Sequence, residues 1–156
     1  MDAASVVSRS VWMAKVFVSY NYNSDGIRID DLRSLISNPM GSQRHEAVTV
    51  TDPVEPGGNR DRRIQKAIKA KMDLCEAVVF LVGDDTHNSR WITYEVELAC
   101  QRQLPYVVVQ GKGTTGGPPS RLAGDRILPW ESSQIGPAID RALAAGRHSS
   151  RRASRV

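Results

Sequence analysis

Ala77-Val78-Val79-Phe80-Leu81-Val82 is the segment that most constrains what this chain can fold into. It is apolar at every position and rich in β-branched residues, so as a strand it needs cover on both faces. That condition is met in the middle of a parallel sheet with helices packed above and below. The rest of the chain must then supply the neighbouring strands and the covering helices.

It does so by alternation. Lys15-Val16-Phe17-Val18-Ser19-Tyr20 is a short β-branched run followed by polar Asn21, Asn23, Ser24 and Asp25, which predicts a buried strand ending in a polar loop. Ile27, Ile29, Leu32, Leu35 and Ile36 form a helical stripe closed by Asn38-Pro39 and Gly41. Glu46 to Thr51 is a second strand, and Asp52 to Asn59 has the composition of a loop. From Arg60 a helix carries Ile64, Ala67 and Ile68 on one face. After Val82, Gly83 to Ser89 is a loop, and Ser89 is a suitable N-cap for a helix through about Arg102. Pro105 to Val109 is a fourth strand, Gly111 to Gly124 reads as a flexible connection, and Arg126 to Pro129 suits a short edge strand. A last helix spans about Gln134 to Ala145. Strands alternating with helices mean right-handed βαβ units and a parallel α/β sheet covered on both faces. Ligands bind such sheets at the carboxyl ends of the strands, so function is expected in the loops after Tyr20, Val50 and Val82.

The 156 residues carry 21 Lys+Arg against 17 Asp+Glu, a formal charge of +4. A basic balance raises nucleic acid as a partner, so the location of the charge matters. Arg147, Arg151, Arg152 and Arg155 lie in a Ser/Arg-rich segment with no acidic residue, and they account for the whole excess. The expected division is an N-terminal extension over 1–14, one domain over 15–146 and a basic, disordered tail over 147–156. Nucleic acid is therefore not expected as a partner, and the Lys/Arg-rich helix after Asn59 reads as a solvated face. No stretch reaches the roughly 18–20 apolar residues of a membrane-spanning helix. Arg9 and Lys15 interrupt the apolar residues at the N-terminus, which argues against a signal peptide. Cys75 and Cys100 form no C-x-x-C and read as reduced thiols of a cytoplasmic protein, although their spacing also permits a disulfide.

Several chemistries lack their motifs. No G-x-G-x-x-G follows the first strand, the glycines around Gly111-Lys112-Gly113 are in the wrong order for a P-loop, and there is no G-x-S-x-G. His45, His87 and His148 are far apart, and neither a metal nor a cofactor is expected. What remains is concentrated after the third strand. Trp91 and Glu95 are i and i+4 on the helix that begins at Ser89, and the Glu95 side chain leans toward the strand ends. A carboxylate there can reach a ligand in the crevice, or it can simply favour the helix N-terminus electrostatically.

Two segments resemble the boxes of TIR (Toll/interleukin-1 receptor) domains. Phe17-Val18-Ser19-Tyr20 with Asp25 resembles the first, F-x-S-[YF] and an acidic residue soon after; Ser89-Arg90-Trp91-Ile92-Thr93-Tyr94-Glu95-Val96 resembles S-x-W-x-x-x-E-[LIV]. The segment Gly83 to Trp91 is similar to the bacterial TIR-like branch that includes the Thoeris antiphage-defence effectors. The resemblance spans about 15–145 and implies a flavodoxin-like three-layer fold with strand order 2-1-3-4-5. It also implies cleavage of NAD, as substrate, at the nicotinamide–ribose bond, giving ADP-ribose or a cyclic isomer used as a signal. The catalytic residue of the family's W-x-x-x-E motif falls on Glu95.

Around Glu95, the same placement makes Ser19, Tyr20, Asn21, Asn23, Asp25, Thr86, His87 and Trp91 candidate substrate contacts. Tyr20 is either a stacking face or a core residue, and Trp91 either frames the pocket or packs beneath Glu95. The loop Asp52 to Arg60 departs from the Arg-Asp-x-x-x-Gly style segment through which many TIR domains assemble. The resemblance further implies self-association and a phage-derived trigger protein as partners. A TIR-like adaptor without turnover and a nucleoside deoxyribosyltransferase-like enzyme are the alternative readings.

Overall fold

The computed structural model describes residues 13–21, 25–38, 42–50 and 60–153. Asn23 and the loop Asp52 to Asn59 lie outside the described residues. Strand β1 (Lys15–Ser19) leads to helix α1 (Ile29–Ser37), and β2 (Glu46–Val48) is followed by α2 (Arg60–Met72). Then come β3 (Ala77–Val82), a 3-10 turn (Thr86–Asn88) and α3 (Arg90–Gln101). Next are β4 (Tyr106–Gln110), a 3-10 turn (Ser120–Leu122), β5 (Ile127–Leu128) and α4 (Ser132–Ala153). The sheet is five-stranded in the order β2-β1-β3-β4-β5, and every pairing is parallel. This is the flavodoxin-like order, with β3 at its centre and all of its residues buried.

Alternation along the strands divides the core in two. Val16, Val18, Val79, Leu81, Val107 and Val109 face α1 and α4, meeting Leu32, Ile36, Ile135 and Ile139. Phe17, Val78, Phe80, Val82 and Val108 face the opposite way, meeting Ile68 and Met72 of α2 and Ile92, Val96 and Ala99 of α3. A fully buried side chain of this size contributes roughly 1.5–3 kcal/mol, so Phe17 and Phe80, at 0% and 1% exposure, are principal anchors of the second layer. In the register of β1 against β3, Ser19 pairs with Phe80, which sets the end of β1 below the end of β3.

The elements differ from expectation mainly at their ends. Ile27 is 84% exposed and precedes α1, whose buried stripe is Ile29, Leu32 and Ile36. Ala14, assigned to an extension, is 1% exposed and accepts the Glu46 N–H at 2.9 Å, so the packed domain includes it. The segment from 147, expected to be disordered, continues α4 in helical conformation through Ala153. Composition favours disorder there, but a helix already nucleated on the sheet propagates at one hydrogen bond per added residue. Gly111 to Gly124 is irregular but tied down. The Gln110 side-chain amide donates to Val82 O, Thr114 Oγ1 and Gly116 O at 3.3, 2.6 and 3.3 Å.

Candidate active site

Parallel strands and their right-handed crossovers place the ends of β1, β3 and β4 and the start of α3 along one rim of the sheet. Ser89 caps α3, its hydroxyl accepting the Ile92 N–H at 3.3 Å. This fixes the helix phase. Ile92, Val96 and Ala99 then point into the core, and Glu95, on the same side, is carried beneath the rim.

Glu95 is 7% exposed, and its Oε2 is fully enclosed without a hydrogen-bond partner. Burial pushes its carboxyl up from an ordinary value of 4.5 to about 8, and the Ser19 hydroxyl draws it partly back down. Ser19 lies on the same sheet face as Phe17, the face that α3 covers, and its Oγ is likewise buried without a hydrogen-bond partner. The hydroxyl is thus close enough to favour the carboxylate, although Glu95 Oε2 and Ser19 Oγ are both without a hydrogen-bond partner.

Trp91, one turn before Glu95, is half-buried against the core layer of α2 and α3. Its ring meets Tyr94 edge to face at 6.1 Å, and the Arg90 guanidinium sits 4.8 Å from its centroid. Packing is therefore its observed role. Arg90 also reaches Asp61 at 2.8 Å, an exposed ion pair joining the start of α3 to the start of α2.

The other candidates separate by location. Tyr20 belongs to the core layer of α1 and α4, across the sheet from Glu95. The period of two along β1 carries that signal, because residues 19 and 20 must face opposite ways. Thr86 is fully buried, and its hydroxyl accepts the Gly83 N–H at 2.6 Å, closing the turn after β3. His87 is exposed, and Asn21 is half-buried with its carbonyl accepting the Asp25 N–H at 2.8 Å.

Asp25 is completely buried, a feature the sequence did not signal. Its Oδ1 accepts from Arg28 Nη1 at 3.2 Å, and Arg28 Nε donates to Lys112 O at 2.9 Å. Burial raises the Asp25 carboxyl, Arg28 opposes the rise, and Asp84 and Asp85 add to it. Asp84 in turn accepts the Thr115 and Gly116 N–H groups at 2.9 and 3.2 Å. The loops after β1, β3 and β4 are thereby locked together around one end of the crevice.

Compared with known families, residues 17–115 match the model described as Thoeris protein ThsB, TIR-like domain. The match covers more than half of the chain. The chain belongs to the Thoeris ThsB TIR-like family. Among curated proteins, none matches it with significant similarity. The TIR-like match runs from β1 into the loop after β4, so it takes in Ser19, Asp25, Glu95 and the rim around them as far as Thr115, while β5 and α4 lie beyond it. Among the described residues of this TIR-like domain, no helix is long and apolar enough to cross a membrane. No group of three or more His, Cys, Asp or Glu side chains among them is arranged to hold a metal ion.

Proposed function

We propose that this TIR-like domain cleaves NAD at the nicotinamide–ribose bond, with Glu95 as the catalytic carboxylate. The observation that carries the reading is the unpartnered Glu95 Oε2, enclosed at the strand ends where this sheet type binds ligands. Nicotinamide in NAD is a cationic leaving group. When the C1′–N bond breaks, its electron pair goes to the ring nitrogen and neutralises it, so no general acid is needed at the departing atom. The ribose is left with oxocarbenium character, which a carboxylate fixed in a dry site stabilises. Water then attacks C1′ and loses a proton, or a nucleophile of the same ADP-ribose attacks and closes a cyclic product.

With its carboxyl pushed up to about 8 by burial, Glu95 favours the protonated form at neutral pH. A cationic nicotinamide ring beside it favours ionisation, so substrate binding generates the form the chemistry uses. In the cell, this reading places the domain with intracellular NAD in antiphage defence, responding to a phage-derived trigger through self-association.

The test is direct. The protein is incubated with NAD, with and without extract from phage-infected cells, and nicotinamide release is followed by chromatography beside Glu95→Gln. Loss of about 100-fold or more in rate is expected for the variant. Turnover that survives the substitution removes Glu95 from the mechanism, and absence of turnover under both conditions leaves the adaptor reading.

A further inference from the structure

The described part of the chain buries few side-chain polar atoms without partners, and two of them, Ser19 Oγ and Glu95 Oε2, lie on the same face of the sheet. Such atoms are rare in folded proteins and call for an explanation. Ser19 is the last residue of β1, 1% exposed and held in register against Phe80. Packing alone would be served there by alanine.

We propose that Ser19 is a positioning residue for Glu95, its hydroxyl donating to the carboxylate in the substrate complex and holding it ionised and oriented toward the ribose. In the structure no hydrogen bond joins the two groups. The pairing forms once the carboxyl has lost its proton, because an ionised carboxylate accepts more strongly than the neutral acid. Burial and the Ser19 hydroxyl are the influences that act on Glu95. The charged groups of the surrounding elements are turned elsewhere. Arg90 and Asp61 pair with each other, and Glu97 pairs with Arg121. On α2, Arg62, Arg63 and Lys66 are exposed, as is Lys15 at the start of β1. The segment Ala77 to Val82 of β3 carries no titratable group.

The contribution to turnover rests on the reading of Glu95 as the catalytic carboxylate, whereas the pairing does not, so the test has two arms. In the first, the Glu95 carboxyl is titrated by carbon NMR in selectively labelled protein, with Glu95→Gln to assign the signal. In the second, NAD cleavage is followed against pH. Ser19→Ala is expected to move the carboxyl titration and the acidic limb of the rate profile to higher pH by about one unit, equivalent to a tenfold loss on that limb. Ser19→Thr, which keeps a hydroxyl, is expected to restore both, and it stands in should the alanine variant fail to fold. A carboxyl titration unchanged in Ser19→Ala, or moved as far by Ser19→Thr as by alanine, overturns the proposal. A titration that moves in a protein showing no NAD cleavage upholds the pairing and overturns the catalytic reading instead.

Discussion

The Gly83 backbone lies directly against the carboxylate of Asp25, so that a Cβ at position 83 would run into both carboxylate oxygens. The contact joins the end of β3 to the loop after β1, and Asp25 passes it on through Arg28 to the Lys112 carbonyl. Gly83→Ala is therefore expected to destabilise the domain by roughly 2–3 kcal/mol through overpacking against the buried Asp25 carboxylate. Asp25→Ala removes the obstacle. In a double-mutant cycle followed by urea denaturation, the pair is expected to cost at least about 1 kcal/mol less than the sum of the single variants. Additive costs would mean that the two residues do not share the strain.

A second brace holds the opposite end of the sheet. His45 is buried, its Nδ1 accepts the Ala14 N–H at 3.3 Å, and its Nε2 faces Asp140 Oδ1 at 2.8 Å. Because Nδ1 accepts, the ring hydrogen sits on Nε2 and is donated to Asp140. One side chain thus ties the entries of β1 and β2 to α4. His45→Ala leaves a buried N–H and a carboxylate oxygen unpaired, a cost of about 2–4 kcal/mol. The thermal midpoint is expected to fall by roughly 5–12 °C. Lying far from the rim, the substitution is expected to leave the NAD KM of the remaining folded protein unchanged.

The sequence made the layers legible and the braces illegible. β3 was readable because an unbroken apolar run has only one comfortable place in an α/β sheet. Ser89 was readable because a helix cap is a local event. That the Glu95 side chain leans toward the strand ends was readable from its place in the second turn of the same helix. The His45–Asp140 contact spans 95 positions, and the Arg28–Lys112 contact spans 84; neither leaves a periodic trace. Asp25 reads as a loop-mouth carboxylate because aspartate is usually exposed, whereas the structure buries it against the Gly83 backbone and pairs it with Arg28. Residue type alone leaves Tyr20 between core and ligand, whereas alternation along β1 sets it opposite Ser19 and so in the core.

The cysteines should differ in reactivity. Both are free, with Cys75 buried and Cys100 half-buried. Burial pushes the Cys75 thiol up to about 12, and its Sγ is engaged with the Lys71 carbonyl at 3.3 Å. The thiolate is the reactive form, so at pH 8 iodoacetamide is expected to modify Cys100 in the native protein and Cys75 only after unfolding. Peptide mass mapping at both stages separates the sites. Equal labelling in the native state would contradict the packing of Cys75.

The burial of Glu95 makes a site that opposes the stability of its own fold. Its carboxyl is raised from 4.5 to about 8, so the native state keeps a proton that the unfolded chain has released across that window. Stability from this group is fully present below pH 4.5, falls as pH rises, and levels off above about 8. Each unit of displacement corresponds to about 1.4 kcal/mol. Glu95→Gln keeps the shape without the ionisation and should lack this slope. Above pH 8 the variant is expected to be more stable than the parent by on the order of 2–4 kcal/mol, with the difference fading toward pH 5. Urea midpoints at the two pH values measure it. A variant that is less stable at both would mean that the carboxyl is satisfied where it lies. A variant that is stabilised at high pH and inactive on NAD would show the same buried charge opposing the fold and serving the chemistry.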